Sequence, residues 1–175
     1  MKLTRLGVYA YALAAVVIVA DQLSKHWVLE VFRLPERVSV PVLPVFSLTM
    51  VWNRGVSFGL LTADEALGRW LLAAFSLAVS VALILWARKV ERRGIALALG
   101  LVIGGAIGNL IDRVRFGAVV DFLDFSQLGF PWVFNIADSA ITVGVVLLLV
   151  DSLLAPDPKT PKPAPAPNER IGAND

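Results

Sequence analysis

The sequence predicts an all-α integral membrane protein, a bundle of four transmembrane helices with a small β-rich loop region on its outer side. Three observations carry this. The chain of 175 residues is 57% hydrophobic, above the roughly 45–50% of soluble domains. The apolar residues fall into four blocks, each long enough to cross about 30 Å of hydrocarbon at about 1.5 Å per residue. The Lys and Arg residues crowd into the segments on one side of those blocks.

The first helix is expected over about 7–29. Lys2 and Arg5 followed by the apolar run from Gly7 to Ala20 also fit a cleavable signal peptide, with Ala12-Leu13-Ala14 as a cleavage site, but the helical pattern runs on through Asp21 to Leu29, a length suited to a span. The segment 30–61 differs in kind. Val38 to Trp52 is rich in β-branched and aromatic residues and broken by Pro41 and Pro44, which predicts short strands with exposed edges in a loop on the membrane surface. Thr62-Ala63-Asp64-Glu65 fits a capping box that opens a second helix over 66–87. After the charged turn Arg88 to Arg93, a third helix is expected over 94–111. It carries Gly100, Gly104 and Gly108 at a spacing of four, which admits close approach of another backbone. Residues 116–131 read as a second loop, and a fourth helix is expected over 132–154. From Ala155 to Asp175 the chain is rich in Pro, Ala and Lys and is expected to be disordered.

Nine Lys or Arg residues (Lys2, Arg5, Arg88, Lys89, Arg92, Arg93, Lys159, Lys162 and Arg170) belong to the termini and the turn between helices two and three, and seven, including Lys25, to the other side. The denser group should be cytoplasmic, which puts both termini inside and both irregular loops outside. A net charge of +2 with no basic stripe speaks against nucleic acid. The absence of cysteine removes disulfides, thiolate nucleophiles and Cys-ligated metals.

Ionisable residues inside spans are costly, roughly 2.5–3.5 kcal/mol each on insertion scales, and so become functional candidates. Here Asp21, Asn109, Asp112, Arg113, Asp121, Asp124, Asn135 and Asp138 all fall at the outer level by this topology, with Asn53 and Arg54 within reach. Some of them can simply hold helices together, as Asp21 with Lys25 one turn on or Asp112 with Arg113 or Arg115. Asp121 and Asp138 are harder to absorb that way. Two carboxyls sharing a proton can activate water and protonate a carbonyl oxygen. The single His26 lacks a triad partner, and Ser24 beside Lys25 faces elsewhere on a helix. An all-carboxylate magnesium or calcium site stays open as an alternative. So does a small transporter or assembly factor, although the inner halves of the helices offer almost no polar path.

Five motifs resemble lipoprotein signal peptidase (signal peptidase II): Asp21-Gln22-Leu23-Ser24-Lys25, Asn53-Arg54-Gly55-Val56-Ser57-Phe58-Gly59, Gly104 to Arg113, Val119-Val120-Asp121-Phe122 and Phe134-Asn135-Ile136-Ala137-Asp138-Ser139. They run in that family's order from the first helix to the fourth. The resemblance implies an intramembrane aspartic endopeptidase that removes the signal peptide of a diacylglyceryl-modified prolipoprotein, just before the lipidated cysteine. By motif position it implies Asp121 and Asp138 as the catalytic pair, supported by Asp21, Asn53, Arg54, Gly55, Asn109, Asp112, Arg113 and Asn135, with no metal and no cofactor. The peptidase domain would then occupy residues 1–154 of a bacterial inner-membrane protein, acting as a monomer on lipidated prolipoproteins and in contact with membrane lipids, with its site near the periplasmic face. The asparagines are expected to hold the substrate backbone, the Asp112–Arg113 pair to fix helix three, and the segment Gly55–Leu61 to cover the site.

Overall fold

The computed structural model describes residues 3–55 and 65–154. Three of the four capping-box residues (62–64), most of the expected covering segment and the Pro-rich tail lie outside them. Among the described residues four helices are long and apolar enough to cross a membrane. The first, α1 (Arg5–His26), starts at Thr4, whose hydroxyl accepts the Gly7 N–H, and continues through a wider turn at Trp27–Val31. A short helix α2 (Leu34–Arg37) leads into β1 (Ser39–Leu43) and β2 (Phe46–Asn53). Next come α3 (Glu65–Ala87), α4 (Arg93–Phe116), β3 (Val119–Asp124), β4 (Val133–Phe134) and α5 (Ile136–Leu154).

Helix α4 is the most buried of the four, and α1, α3 and α5 pack around it. Its glycines are spent on these internal contacts. A methyl group at Gly104 would stand 2.6 Å from Val17 Cβ, and one at Gly105 would collide with the Ala137 carbonyl. The backbones of α1 and α5 therefore approach α4 more closely than a larger residue permits. Ala10, Ala14, Leu99 and Ile103 make the apolar seam below. The outward faces of α1, α3 and α5 expose large apolar residues, among them Val16, Phe75 and Leu149, as lipid contact requires.

The four strands form one antiparallel sheet in the order β1-β2-β3-β4. Pro41 sits in the edge strand β1, where its missing N–H breaks no central ladder. Residues 116–131, read from the sequence as a loop, hold the inner strand β3, paired with both β2 and β4. Asp121 faces Val51 in that register, so the acidic residue is fixed by a ladder on a strand.

Two helix ends also depart from expectation. Helix α4 runs past Ile111 to a left-handed cap at Gly117, which places Asp112 and Arg113 inside it. Helix α5 begins at Ile136 because Val133 and Phe134 are taken by the sheet. The Asn135 side chain accepts the Asp138 N–H at 2.8 Å, satisfying an otherwise orphaned donor of the first turn.

Candidate active site

The polar groups meet where the ends of α1, α4 and α5 adjoin β3. Asp21, Lys25, Asn109, Asp112, Asp121 and Asn135 are all buried, and Asp138 is half-buried on the first turn of α5. Burying so many polar groups is tolerable only if each is hydrogen-bonded, and the bonding follows a definite plan.

Its base is an ionic knot. The Lys25 ammonium lies 2.8 Å from Asp21 Oδ2 and 2.7 Å from Asp112 Oδ2. Asp21 also accepts the Ala137 N–H at 3.0 Å, tying α1 to the start of α5. Asp112 accepts the Val120 N–H at 3.1 Å, tying α4 to β3. Gln22 donates to Asp112 Oδ1 at 3.0 Å. The expected Asp112–Arg113 pair is thus replaced by Asp112–Lys25, since neighbouring residues on a helix point apart. Arg113 instead donates to the Asn109 carbonyl at 3.4 Å, with the charges of Asp138, Asp112 and Asp121 around it.

Above the knot stand the two candidate catalytic carboxyls. Asp121 Oδ1 accepts from Asn135 at 2.7 Å and Oδ2 from Asn53 at 3.0 Å. Asp138 Oδ1 accepts from Asn109 at 2.7 Å. The asparagines expected to hold a substrate backbone therefore bind carboxylates. Asn53, Arg54 and Gly55 are exposed at the end of β2. Gly55 has φ 77°, a conformation that favours glycine, and its N–H donates to Asn53 Oδ1 at 2.9 Å. Asp124 is occupied elsewhere: Thr49 and the Ser126 N–H bond its carboxyl at 2.7 and 2.9 Å and, Thr49 first, hold it below the usual carboxylate range.

Burial, and then the charge of Asp138, push the Asp121 carboxyl up from 3.8 to about 7, against the opposing hydrogen bonds of Asn53 and Asn135 and the charge of Lys25. A carboxyl that ionises later in the folded chain than in the unfolded one stabilises the fold while protonated. That contribution is complete at the acid end and is lost as pH rises through about 7. Asp121→Asn cannot ionise, so its melting temperature should rise relative to the parent's between about pH 4 and about pH 8. A difference that stays constant across that range would contradict the assignment.

Lys25 and Gln22 belong to the network although the resemblance marks neither as a site residue; both lie in the first motif. Their signal was the one-turn spacing of Asp21 and Lys25, which reads equally well as a local helix pair. Among the described residues no three of His, Asp and Glu converge as metal ligands.

Fold and site define a class: a protein with membrane-length helices and a buried carboxyl–asparagine cluster at one end. Comparison with known proteins narrows it. A family model described as Signal peptidase (SPase) II matches residues 13–154, and the chain belongs to the signal peptidase II family, a protease family. It is 54% identical to a lipoprotein signal peptidase of Caulobacter vibrioides over 160 residues, 91% of this chain and 95% of the relative. A lipoprotein signal peptidase of Rhodopseudomonas palustris is 45% identical over 92% of this chain and 100% of its own. Two solved structures, each described as a bacterial membrane enzyme determined by the in meso method, are similar in fold. One has a TM-score of 0.73 at 28% identity, covering 94% of this chain and 98% of its own. The other has a TM-score of 0.74 at 29% identity, covering 89% and 98%.

Proposed function

We propose that this protein is an aspartic endopeptidase that cleaves the signal peptide from diacylglyceryl-modified prolipoproteins on the N-terminal side of the lipidated cysteine. Family membership supports the removal of lipoprotein signal peptides. The observation that supports the aspartic mechanism is the pairing of Asp121 and Asp138, one from β3 and one from α5, each carboxyl set by asparagine amides.

In this reading the pair holds one proton between two carboxyls. The carboxylate takes a proton from water, and the resulting hydroxide adds to the scissile carbonyl carbon. The carboxylic acid protonates the carbonyl oxygen, giving a neutral gem-diol. On collapse one carboxyl gives its proton to the nitrogen, the C–N bond breaks and the other carboxyl takes a proton from the diol, so the new N-terminus is freed and the pair again holds one proton. Neither a metal ion nor a diffusible cofactor takes part. The knot of Asp21, Lys25 and Asp112 keeps the strand and helices carrying the pair in place. Arg54, Gly55 and Arg113 stand where a substrate entering from the outer leaflet passes.

The site lies near the periplasmic face of a bacterial inner membrane, both termini are cytoplasmic, and the protein works as a monomer. The exposed Trp27, Trp52 and Trp132 suit the outer interface, where tryptophans gather. The signal helix and acyl chains reach the site laterally through the lipid. Reporter fusions after Ala87 and Leu154 should read cytoplasmic and one near Val45 external; an external fusion after Leu154 would invert the site. Incubation of the purified protein with a diacylglyceryl-modified prolipoprotein should yield, by mass spectrometry, a product beginning at the lipidated cysteine. Equal cleavage of the unlipidated precursor would remove the substrate assignment.

A further inference from the structure

Each asparagine of the site is turned by a donor at its far end. The Asn53 oxygen faces the Gly55 N–H and the Asn135 oxygen faces the Asp138 N–H. The Asn109 oxygen faces the Lys25 ammonium at 3.1 Å and also receives the Asn135 amide at 3.1 Å. Ammonium and backbone N–H groups only donate, so the amide atom facing each of them must be the oxygen. The NH2 end then has one direction left. It points to Asp121 Oδ2 from Asn53, to Asp121 Oδ1 from Asn135 and to Asp138 Oδ1 from Asn109. Two of these orienting donors are backbone. At Asn109 the backbone supplies none, and the oxygen is held by two side chains, the Asn135 amide and the charged Lys25 ammonium from another helix.

We propose that Lys25 is a positioning residue for catalysis: through Asn109 it keeps a donor aimed at Asp138 Oδ1, which leaves Oδ2 as the oxygen that exchanges the proton. This rests on the reading of Asp121 and Asp138 as the catalytic pair. Without the ammonium, the Asn135 amide is the one donor left of the two on the Asn109 oxygen, and whenever Asn109 turns it presents its oxygen to Asp138, an arrangement that only a protonated carboxyl accepts. Among the described residues, the charged groups around the pair include Asp21 and Lys25 from α1, Asp112 and Arg113 from α4, and Asp121 and Asp138 facing each other from β3 and α5. Lys25→Met therefore lowers kcat, and the pH at which activity falls moves upward because the pair holds its proton longer.

The test is a double-mutant cycle on kcat with Lys25→Met, Asn109→Ala and both together, with KM, thermal stability and pH profile measured for each. Lys25→Met should lower kcat by roughly 100-fold, the scale of a misplaced catalytic group, with little change in KM. In the Asn109→Ala background the same change should cost no more than about threefold, because residues acting through one another are not additive. Lys25→Arg, which still only donates, should recover part of kcat and the parent pH profile. If Lys25→Met does not fold, Lys25→Met/Asp112→Asn, which strands one carboxylate fewer, takes its place throughout the cycle. Additive losses, or a loss that follows melting temperature with an unmoved pH profile, would overturn the proposal. An active Asp138→Asn control would instead sink the catalytic-pair reading beneath it.

Discussion

Asp121→Asn and Asp138→Asn should each abolish cleavage, by on the order of 10⁴-fold or more in kcat, while the protein still inserts and purifies as a folded species. Asparagine is nearly isosteric, yet it can neither take a proton from water nor give one to a carbonyl oxygen. Asp121→Asn keeps a carbonyl that can accept from Asn135 or Asn53, while its NH2 meets the NH2 of the other, a local conflict that costs some stability without unfolding the chain. Asp124→Asn is the internal control. Its carboxyl is engaged by Thr49 and the Ser126 N–H at the far end of β3, and cleavage should change little. A dead Asp124→Asn beside an active Asp121→Asn would move the catalytic group three residues along the strand, and the account of the site would be wrong.

The second large effect falls on stability. Asp112→Ala removes one partner of a fully buried ammonium and the acceptor of the Val120 N–H. Stranding buried charge typically costs roughly 3–5 kcal/mol. For a chain of this size that corresponds to a melting-temperature loss on the order of 10 °C. Lys25 retains Asp21, so the lower part of that range is expected. Arg113→Ala loses a 3.4 Å bond to a carbonyl and the attraction of Asp138, Asp112 and Asp121 but no close ion pair of the kind seen at Lys25, and should cost less stability, while activity falls because the cation near Asp138 and Asp121 is gone. Thermal unfolding of both variants in detergent decides the matter. Equal destabilisation would restore the Asp112–Arg113 pairing suggested by adjacency in the sequence.

What was legible in the sequence divides along physical lines. The four apolar helices were legible because a lipid-facing span must be apolar over its whole length, and such runs survive any detail of packing. The strands β1 and β2 were legible through the β-branched and aromatic run from Val38 to Trp52. Strand β3 was not, although Val119-Val120 carries the same signal, because the acidic Asp121 and Asp124 and the nearby Gly117 read as loop. An aspartate in an inner strand makes sense only once Asn53 and Asn135 are seen to bond it. Helix α5 starts later than the apolar pattern indicates for a related reason: Trp132 to Phe134 are as apolar as the helix that follows, and only the pairing of Val133 and Phe134 with β3 separates them.

The site divides the same way. Motif resemblance drew Asp121, Asp138 and the three asparagines together, and the structure brings their side chains into one network. The direction of that network was hidden, because an asparagine's letter does not say which end of its amide faces what. The true partner of Asp112 was hidden too. The three residues of the knot are spread over 92 positions of the chain, from Asp21 to Asp112, and only the packing of α1 on α4 brings them together.

In the proposed mechanism a carboxyl pair sharing one proton carries out the cleavage, and the pH dependence of kcat for prolipoprotein cleavage by the wild-type protein, with and without EDTA, reads that proton. Burial and the charge of Asp138 push the Asp121 carboxyl up to about 7. Activity should therefore persist under chelation and fall as pH rises through about 7, where the shared proton is lost. Loss of activity on chelation, restored by a divalent cation, would mean that the acidic cluster works through a metal and would contradict the mechanism.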